Sequence, residues 1–307
     1  MRFLVVGPGA MGCLFAGRLK MAGHEVTLLD YRPERANLLN SNGIRIEGIG
    51  GEATVQVPVI TGKPAGTPDA VLVCVKAGKT HAAVEKLAHQ LPEKAHVLTL
   101  QNGLGNMDVL REIFSEHRVL GGVTAEGATL LGPGHIRHAG KGDTIIGPLG
   151  PFPESIEKIV AAFKTAGFNS RAVENIDAMI WGKLIINVGI NGLTAITRLR
   201  NGRLPEVSGT LRVMKDAVAE AEKVAIAMGI QLPYPDPLEK VIDVCRATAG
   251  NVASMLQDIL SQRKTEVKYI NGAIVKQGKA TGIPTPVNNT ITSLVEALQE
   301  TFEEYLS

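Results

Sequence analysis

Phe3-Leu4-Val5-Val6-Gly7-Pro8-Gly9-Ala10-Met11-Gly12 decides how the first half of this chain is read. Four apolar residues run unbroken into glycine, as in a strand buried on both faces. The next six residues spell G-x-G-x-x-G, and residues 10–22 then carry helical spacing up to Gly23. Glycine-rich turns are common, but between a strand and a helix each glycine has its own physical reason. Gly7 permits the tight turn, Gly9 lets a pyrophosphate approach the backbone, and Gly12 lets helix and strand pack closely. Ala10, Met11 and Gly12 would present unpaired N–H groups of the helix N-terminus to the phosphates.

The pattern continues outward. Residues 25–29 read as a second strand and residues 33–41 as a helix that Pro33 opens. Residues 44–47 and 53–59 read as a hairpin around glycines, and residues 70–75 and 96–100 as apolar strands flanking a helix near 79–91. Strands alternating with helices imply βαβ units and a mostly parallel sheet. Between Gly121 and Gly147 glycine is dense, and the short β runs 135–138 and 143–146 are expected to extend that sheet. After Val173 the spacing turns helical over residues 175–192, 204–228, 236–246, 251–262 and 284–304. The expected fold is α/β: an N-terminal Rossmann-type doubly wound sheet over residues 1–173, then a mostly α-helical domain over 174–307. The cleft between two such domains is the expected ligand site.

Composition narrows the function. Hydrophobic residues make up 45% of the 307 and aromatics only 4%, so the core rests on Val, Ile, Leu and Ala. Lys and Arg number 32 against 30 acids, with no basic run long enough to track a phosphate backbone, so no nucleic-acid partner is expected. Cys13, Cys74 and Cys245 form no C-x-x-C, which argues against a disulfide framework and a zinc site. The first apolar run is too short for a signal peptide, and no stretch reads as a membrane span, so the chain is expected to be soluble and cytoplasmic. Gly78-Lys79-Thr80 mimics the end of a phosphate loop, but the glycine required five residues earlier is Val73. All seven histidines fall in the first half, which disfavours a histidine-based dehydrogenase.

Several polar residues stand out. Asp30 ends the second strand, where an acid would accept hydrogen bonds from a ribose 2′-hydroxyl. Arg32 and Arg35 could instead pair with a 2′-phosphate, or simply be solvated at a helix start, and Lys76 could add charge from the next strand end. Asn102, in Gln101-Asn102-Gly103, follows a parallel strand and would line the ligand crevice, though Asn-Gly is also ordinary turn chemistry. Lys183 and Asn187 share one helix face, with Asn191 a turn further on, among Leu184, Ile185, Ile186 and Val188. Such groups are costly to bury unless paired, although a snorkelling lysine fits the same spacing. Asn251, Ser254 and Asp258 fall on one helical stripe, and Glu266 could be a site carboxylate or the first-turn acid of another helix.

In order along the chain, GPGAMG, VCVKAGKT, QNG, WGKLIINVGIN, SMLQDILSQRKTEVKYING and GIPTPVNNT resemble the ketopantoate reductase (2-dehydropantoate 2-reductase) family, from Gly7 to Asn288. The Lys-x3-Asn-x3-Asn and Ser-Met-x2-Asp-x6-Thr-Glu segments are far more specific than the glycine motif. The resemblance implies NADPH-dependent reduction of 2-dehydropantoate to pantoate, on the path to pantothenate and coenzyme A. It implies Lys183 as general acid, and Asn187, Asn191, Ser254 and Glu266 around a small-molecule substrate. On the cofactor side it implies Gly7, Gly9, Ala10, Met11, Gly12, Arg32, Lys76 and Asn102, with Glu266 also close. Asp30 keeps NADH open as an alternative, another 2-oxo acid could be the substrate, and a homodimer is left open.

Overall fold

The computed structural model describes residues 1–304. By contacts the chain divides into two compact units: residues 1–101 with 106–176, and residues 102–105 with 177 onward.

In the first unit, β1 (Arg2–Val6), α1 (Ala10–Met21), β2 (Glu25–Leu29) and α2 (Pro33–Asn42) come first. β3 (Ile44–Gly48), β4 (Ala53–Val55), β5 (Val59–Ile60), β6 (Ala70–Val73), α3 (Thr80–Ala88), β7 (His96–Thr99) and α4 (Asn106–Ile113) follow. β8 (Val119–Thr124), β9 (Gly127–Gly132), β10 (His135–Gly140), β11 (Asp143–Gly147), α5 (Ser155–Thr165) and β12 (Asn169–Ala172) complete it. Eight strands form one sheet in the order β12-β11-β8-β7-β6-β1-β2-β5. All its pairs are parallel except β11 against β8. The fully buried strands Phe3-Leu4-Val5-Val6 and Ala70-Val71-Leu72-Val73 sit at its centre, as continuous apolar runs require.

Two expectations about strands need correction. The 135–138 run does not extend this sheet. β10 joins a separate four-stranded sheet of order β4-β3-β10-β9, pairing in parallel with β3 and antiparallel with β9. Only the 143–146 run, within β11, extends the main sheet. The reason lies in α1, which is buried nearly all round, from Gly12 to Gly17 and again at Leu19. A helix apolar on every side needs cover on every side. The main sheet covers one face, and β3, β9 and β10 pack on the other. The second correction is to the 44–59 hairpin. β3 and β4 do pair antiparallel, but Val59 leaves the hairpin in β5 to pair with Leu28 of β2.

The second unit contains α6 (Asp177–Thr197), α7 (Ser208–Ala227), α8 (Pro237–Ala247), α9 (Ser254–Leu260), α10 (Asn271–Thr281) and α11 (Pro286–Glu300). Its hub is α6, which contacts α7, α8, α9 and α11. By length and composition α6 could cross a membrane, contrary to the sequence reading, but most of it is buried among those neighbours, as in a core helix. The stripe through Asn251, Ser254 and Asp258 is shorter than its spacing suggests, because α9 starts at Ser254 and Asn251 lies before it. Helix α10 begins only at Asn271, five residues beyond the Glu266 that the sequence offers as a first-turn acid. Its few buried apolar positions, Ala273 and Ile274, make too short a stripe to stand out.

Candidate active site

The glycine turn is built by backbone geometry. Gly7 has φ of +100°, a conformation that L side chains rarely adopt, and its N–H donates to the Leu29 carbonyl over 2.9 Å. A Cβ on Gly12 would collide with the Gly7 carbonyl oxygen, so helix and turn can approach this closely only with glycine there. Gly9 differs: a Cβ there would meet only the Cys74 carbonyl, at 4.0 Å, and Gly9 has ordinary N-cap dihedrals. No side chain caps α1 and no acid stands in its first turn, so the N–H groups of Ala10, Met11 and Gly12 keep their full attraction for an anion.

Beside this turn is a pocket of about 290 Å³, lined by Pro8, Arg32, Arg35 and residues 130–133 of the second sheet's hairpin. Arg32 is exposed as the N-cap residue of α2, where its backbone rather than its side chain starts the helix. Asp30 is only 1% exposed and spoken for. Arg35 grips its carboxylate with two donors, Nε to Oδ2 and Nη2 to Oδ1 at 2.6 Å, and the Arg32 N–H donates to Oδ1 at 3.1 Å. The Asp30 that sequence reasoning offers to a ribose is therefore committed to Arg35. No feature of residue type announces this; the five-residue spacing across a strand end and a helix start was the only trace.

Gln101 was also passed over in favour of its neighbour. Its Nε2 donates to the Val75 carbonyl at 2.6 Å and to Thr80 Oγ1 at 2.8 Å, and its Oε1 accepts from Thr99 Oγ1 at 2.8 Å. It thereby ties the loop bearing exposed Lys76 to the end of β7.

In the second unit, Lys183, Asn187 and Asn191 lie along α6, and Asn191 is fully inside. Lys183 is half-buried. Burial brings its amine down from 10.5, the value of a free lysine, to about 8, and the nearby Glu266 carboxylate opposes that fall. Asn187 Nδ2 is buried with no hydrogen-bond partner among the described residues, a donor that desolvation makes costly unless a ligand accepts from it. Ser254 is exposed at the start of α9, which packs on α6.

The segment leading into Glu266 is held at two points. Asp258, buried in α9, pairs with Arg263 at 3.5 Å and its carbonyl accepts from the Arg263 N–H at 2.8 Å. Thr265 donates its N–H and its hydroxyl to Gln299 Oε1 of α11, at 2.8 and 3.1 Å. Asn102 comes with this unit, because the Leu104 N–H donates to the Tyr269 carbonyl at 2.9 Å. Gly103, at φ of +85°, lies so close to Tyr269 that any Cβ would strike its carbonyl. Asn251 is exposed and off the helix. Lys183, Asn187, Asn191, Ser254, Glu266 and Asn102 thus belong to one unit, and the glycine turn, Arg32 and Lys76 to the other.

Comparison with known proteins agrees in extent and in kind. Residues 3–151 match the family model described as ketopantoate reductase PanE/ApbA, and residues 175–299 match its C-terminal counterpart. A 2-dehydropantoate 2-reductase of Halobacterium salinarum is 37% identical, covering 97% of this chain and 99% of that protein. The crystal structure of a PanE/ApbA family ketopantoate reductase from Ralstonia eutropha JMP134 superposes with a TM-score of 0.90 at 34% identity, covering 99% of this chain and 100% of that one. A D-mandelate dehydrogenase solved with NADH and anilino(oxo)acetate has a TM-score of 0.91 at 28% identity, covering 99% of this chain and 100% of that one. This chain, an oxidoreductase, belongs to the ketopantoate reductase family.

Proposed function

We propose that this chain reduces the ketone of 2-dehydropantoate to the alcohol of pantoate, in the cytoplasm and with NADPH, and that Lys183 is its general acid. Reduction of a ketone places negative charge on oxygen, and a buried ammonium beside it both stabilises that charge and delivers the proton. The observation that carries the reading is the Lys183–Glu266 couple. Burial brings the amine to about 8, close enough to neutrality to give up a proton and high enough to be loaded at pH 7. Glu266 favours the charged form and holds the amine toward the substrate. Asn187 offers its buried donor to the substrate, with Asn191 and Ser254 completing the ligand set for carboxylate and hydroxyl. Bound NADPH supplies the hydride. Gly7, Gly9, Ala10, Met11 and Gly12 would hold its pyrophosphate, Arg32 and Lys76 its 2′-phosphate, and Asn102 its nicotinamide end.

The test is NADPH oxidation dependent on 2-dehydropantoate, in the native enzyme and in Lys183→Ala. The variant should lose kcat by orders of magnitude and keep its cofactor affinity; near-normal kcat would remove Lys183 from the mechanism. The mandelate dehydrogenase likeness favours a second reading, a related 2-oxo acid as substrate. Rates on 2-dehydropantoate and on an aryl 2-oxo acid, side by side, separate the two.

A further inference from the structure

We infer that Arg35 is the residue that sets cofactor choice, by sequestering Asp30, and that Asp30 is a latent site for the ribose of NADH. This rests on the reading that NADPH is the cofactor. At the end of the second strand of a dinucleotide-binding unit, a free carboxylate accepts hydrogen bonds from the ribose 2′-hydroxyl and repels a 2′-phosphate. Asp30 occupies that position, 1% exposed, with both oxygens gripped by the Arg35 guanidinium and Oδ1 also taking the Arg32 N–H. Its negative charge is cancelled within the pair, and Arg35 rather than Asp30 lines the pocket beside Arg32 and Pro8. Arg32, exposed and in no ion pair among the described residues, supplies the pocket's uncancelled charge. The charges of Arg32, Arg35 and Asp30 sum to one positive, which suits a 2′-phosphate. Removing Arg35 alone would leave Arg32 opposed by an uncovered Asp30, an arrangement that suits a neutral ribose. The acid that argues for NADH in the sequence is thus the switch that Arg35 keeps off.

The experiment compares kcat/KM for NADPH and NADH in the native enzyme, Arg35→Met, Asp30→Asn and the double variant, with thermal melts to confirm folding. Uncovering a like charge beside the 2′-phosphate is worth about tenfold or more in affinity. Arg35→Met should therefore lower kcat/KM for NADPH by at least about tenfold, raise it for NADH, and move their ratio on the order of 100-fold toward NADH. The double variant should lose the NADH gain. Asp30→Asn removes no cation and should keep or strengthen the preference for NADPH. This variant decides the matter even if Arg35→Met does not fold. A fall in NADPH preference in Asp30→Asn would mean that Asp30 serves to aim Arg35 at the phosphate, and would overturn the inference. Equal losses for both cofactors in a folded Arg35→Met would overturn it too. A native enzyme that prefers NADH refutes the NADPH reading by itself, whereas the shift between native and variant ratios tests Arg35 separately.

Discussion

Replacing Lys183 by Met should cut turnover by orders of magnitude and make the protein more stable. The lysine sits half-buried on α6 among Leu184, Ile185 and Val188, and burial brings its amine from 10.5 to about 8. That depression corresponds to about 3 kcal/mol by which folding is penalised for carrying the charge. Met has nearly the same length and no charge, so the penalty disappears. The attraction of Glu266 is already contained in that net depression, and after imperfect repacking a stabilisation of about 1–3 kcal/mol remains. The effect depends on pH in a fixed direction. Below pH 8 the amine is protonated in both folded and unfolded chains, so the native enzyme bears the whole penalty. Between 8 and 10.5 the unfolded chain binds more protons, native stability climbs with pH, and the advantage of Met shrinks. Urea titrations of both proteins at pH 7 and pH 9.5 measure this, while kcat at pH 7 should drop by about 10²–10⁴. A variant no more stable than the native protein at pH 7, or an advantage that fails to shrink at pH 9.5, would refute the claim that this amine is held by burial in a costly state.

Other perturbations separate the parts of the site. In the reductive direction kcat/KM should fall as pH rises through about 8, because the acid form of Lys183 is lost. Glu266→Gln should move that limb to lower pH, since the carboxylate is what raises the amine, and a limb that stays put would take Glu266 out of the couple. Gly9→Ala should fold normally and raise KM for the cofactor, whereas Gly12→Ala should lower the melting temperature sharply, because only the second Cβ strikes backbone. Equal effects on the two melting curves would contradict this. Asn288 bridges Glu220, the Ala217 carbonyl and Asn271 in the core of the second unit, so Asn288→Ala should destabilise by about 2–4 kcal/mol in urea titration.

Local signals in the sequence went far. The run from Phe3 into the glycine turn, the helix after it and the strand of residues 25–29 all appear where their apolar patterns place them, because central parallel strands and their helices carry uninterrupted periodicities. The second sheet did not show itself. Its central pair joins β3 to β10, with Ile46 opposite Ile136, across some ninety residues of chain that contain half of the main sheet's strands. Short, glycine-rich strands of that kind fix neither partner nor sheet by their own pattern. The one clue was indirect: α1 has no polar face, so something besides the main sheet had to cover it.

For the site, residue type disclosed the chemistry and withheld the pairing. An acid at the end of β2 reads as a ribose ligand, and only the folded chain reveals that Arg35 closes on both its oxygens. A lysine on an apolar helix reads equally as snorkelling or catalytic, and what separates the two is the company of Glu266, 83 residues away along the chain. In both cases the decisive partner comes from another element, so spacing alone does not establish the pairing. The consequence is physical as well as interpretive. Charge kept inside a fold survives only beside its counter-charge, so at both places the partner governs what the first residue can do, and a change in Arg35 or Glu266 should redirect the function of a residue it never replaces.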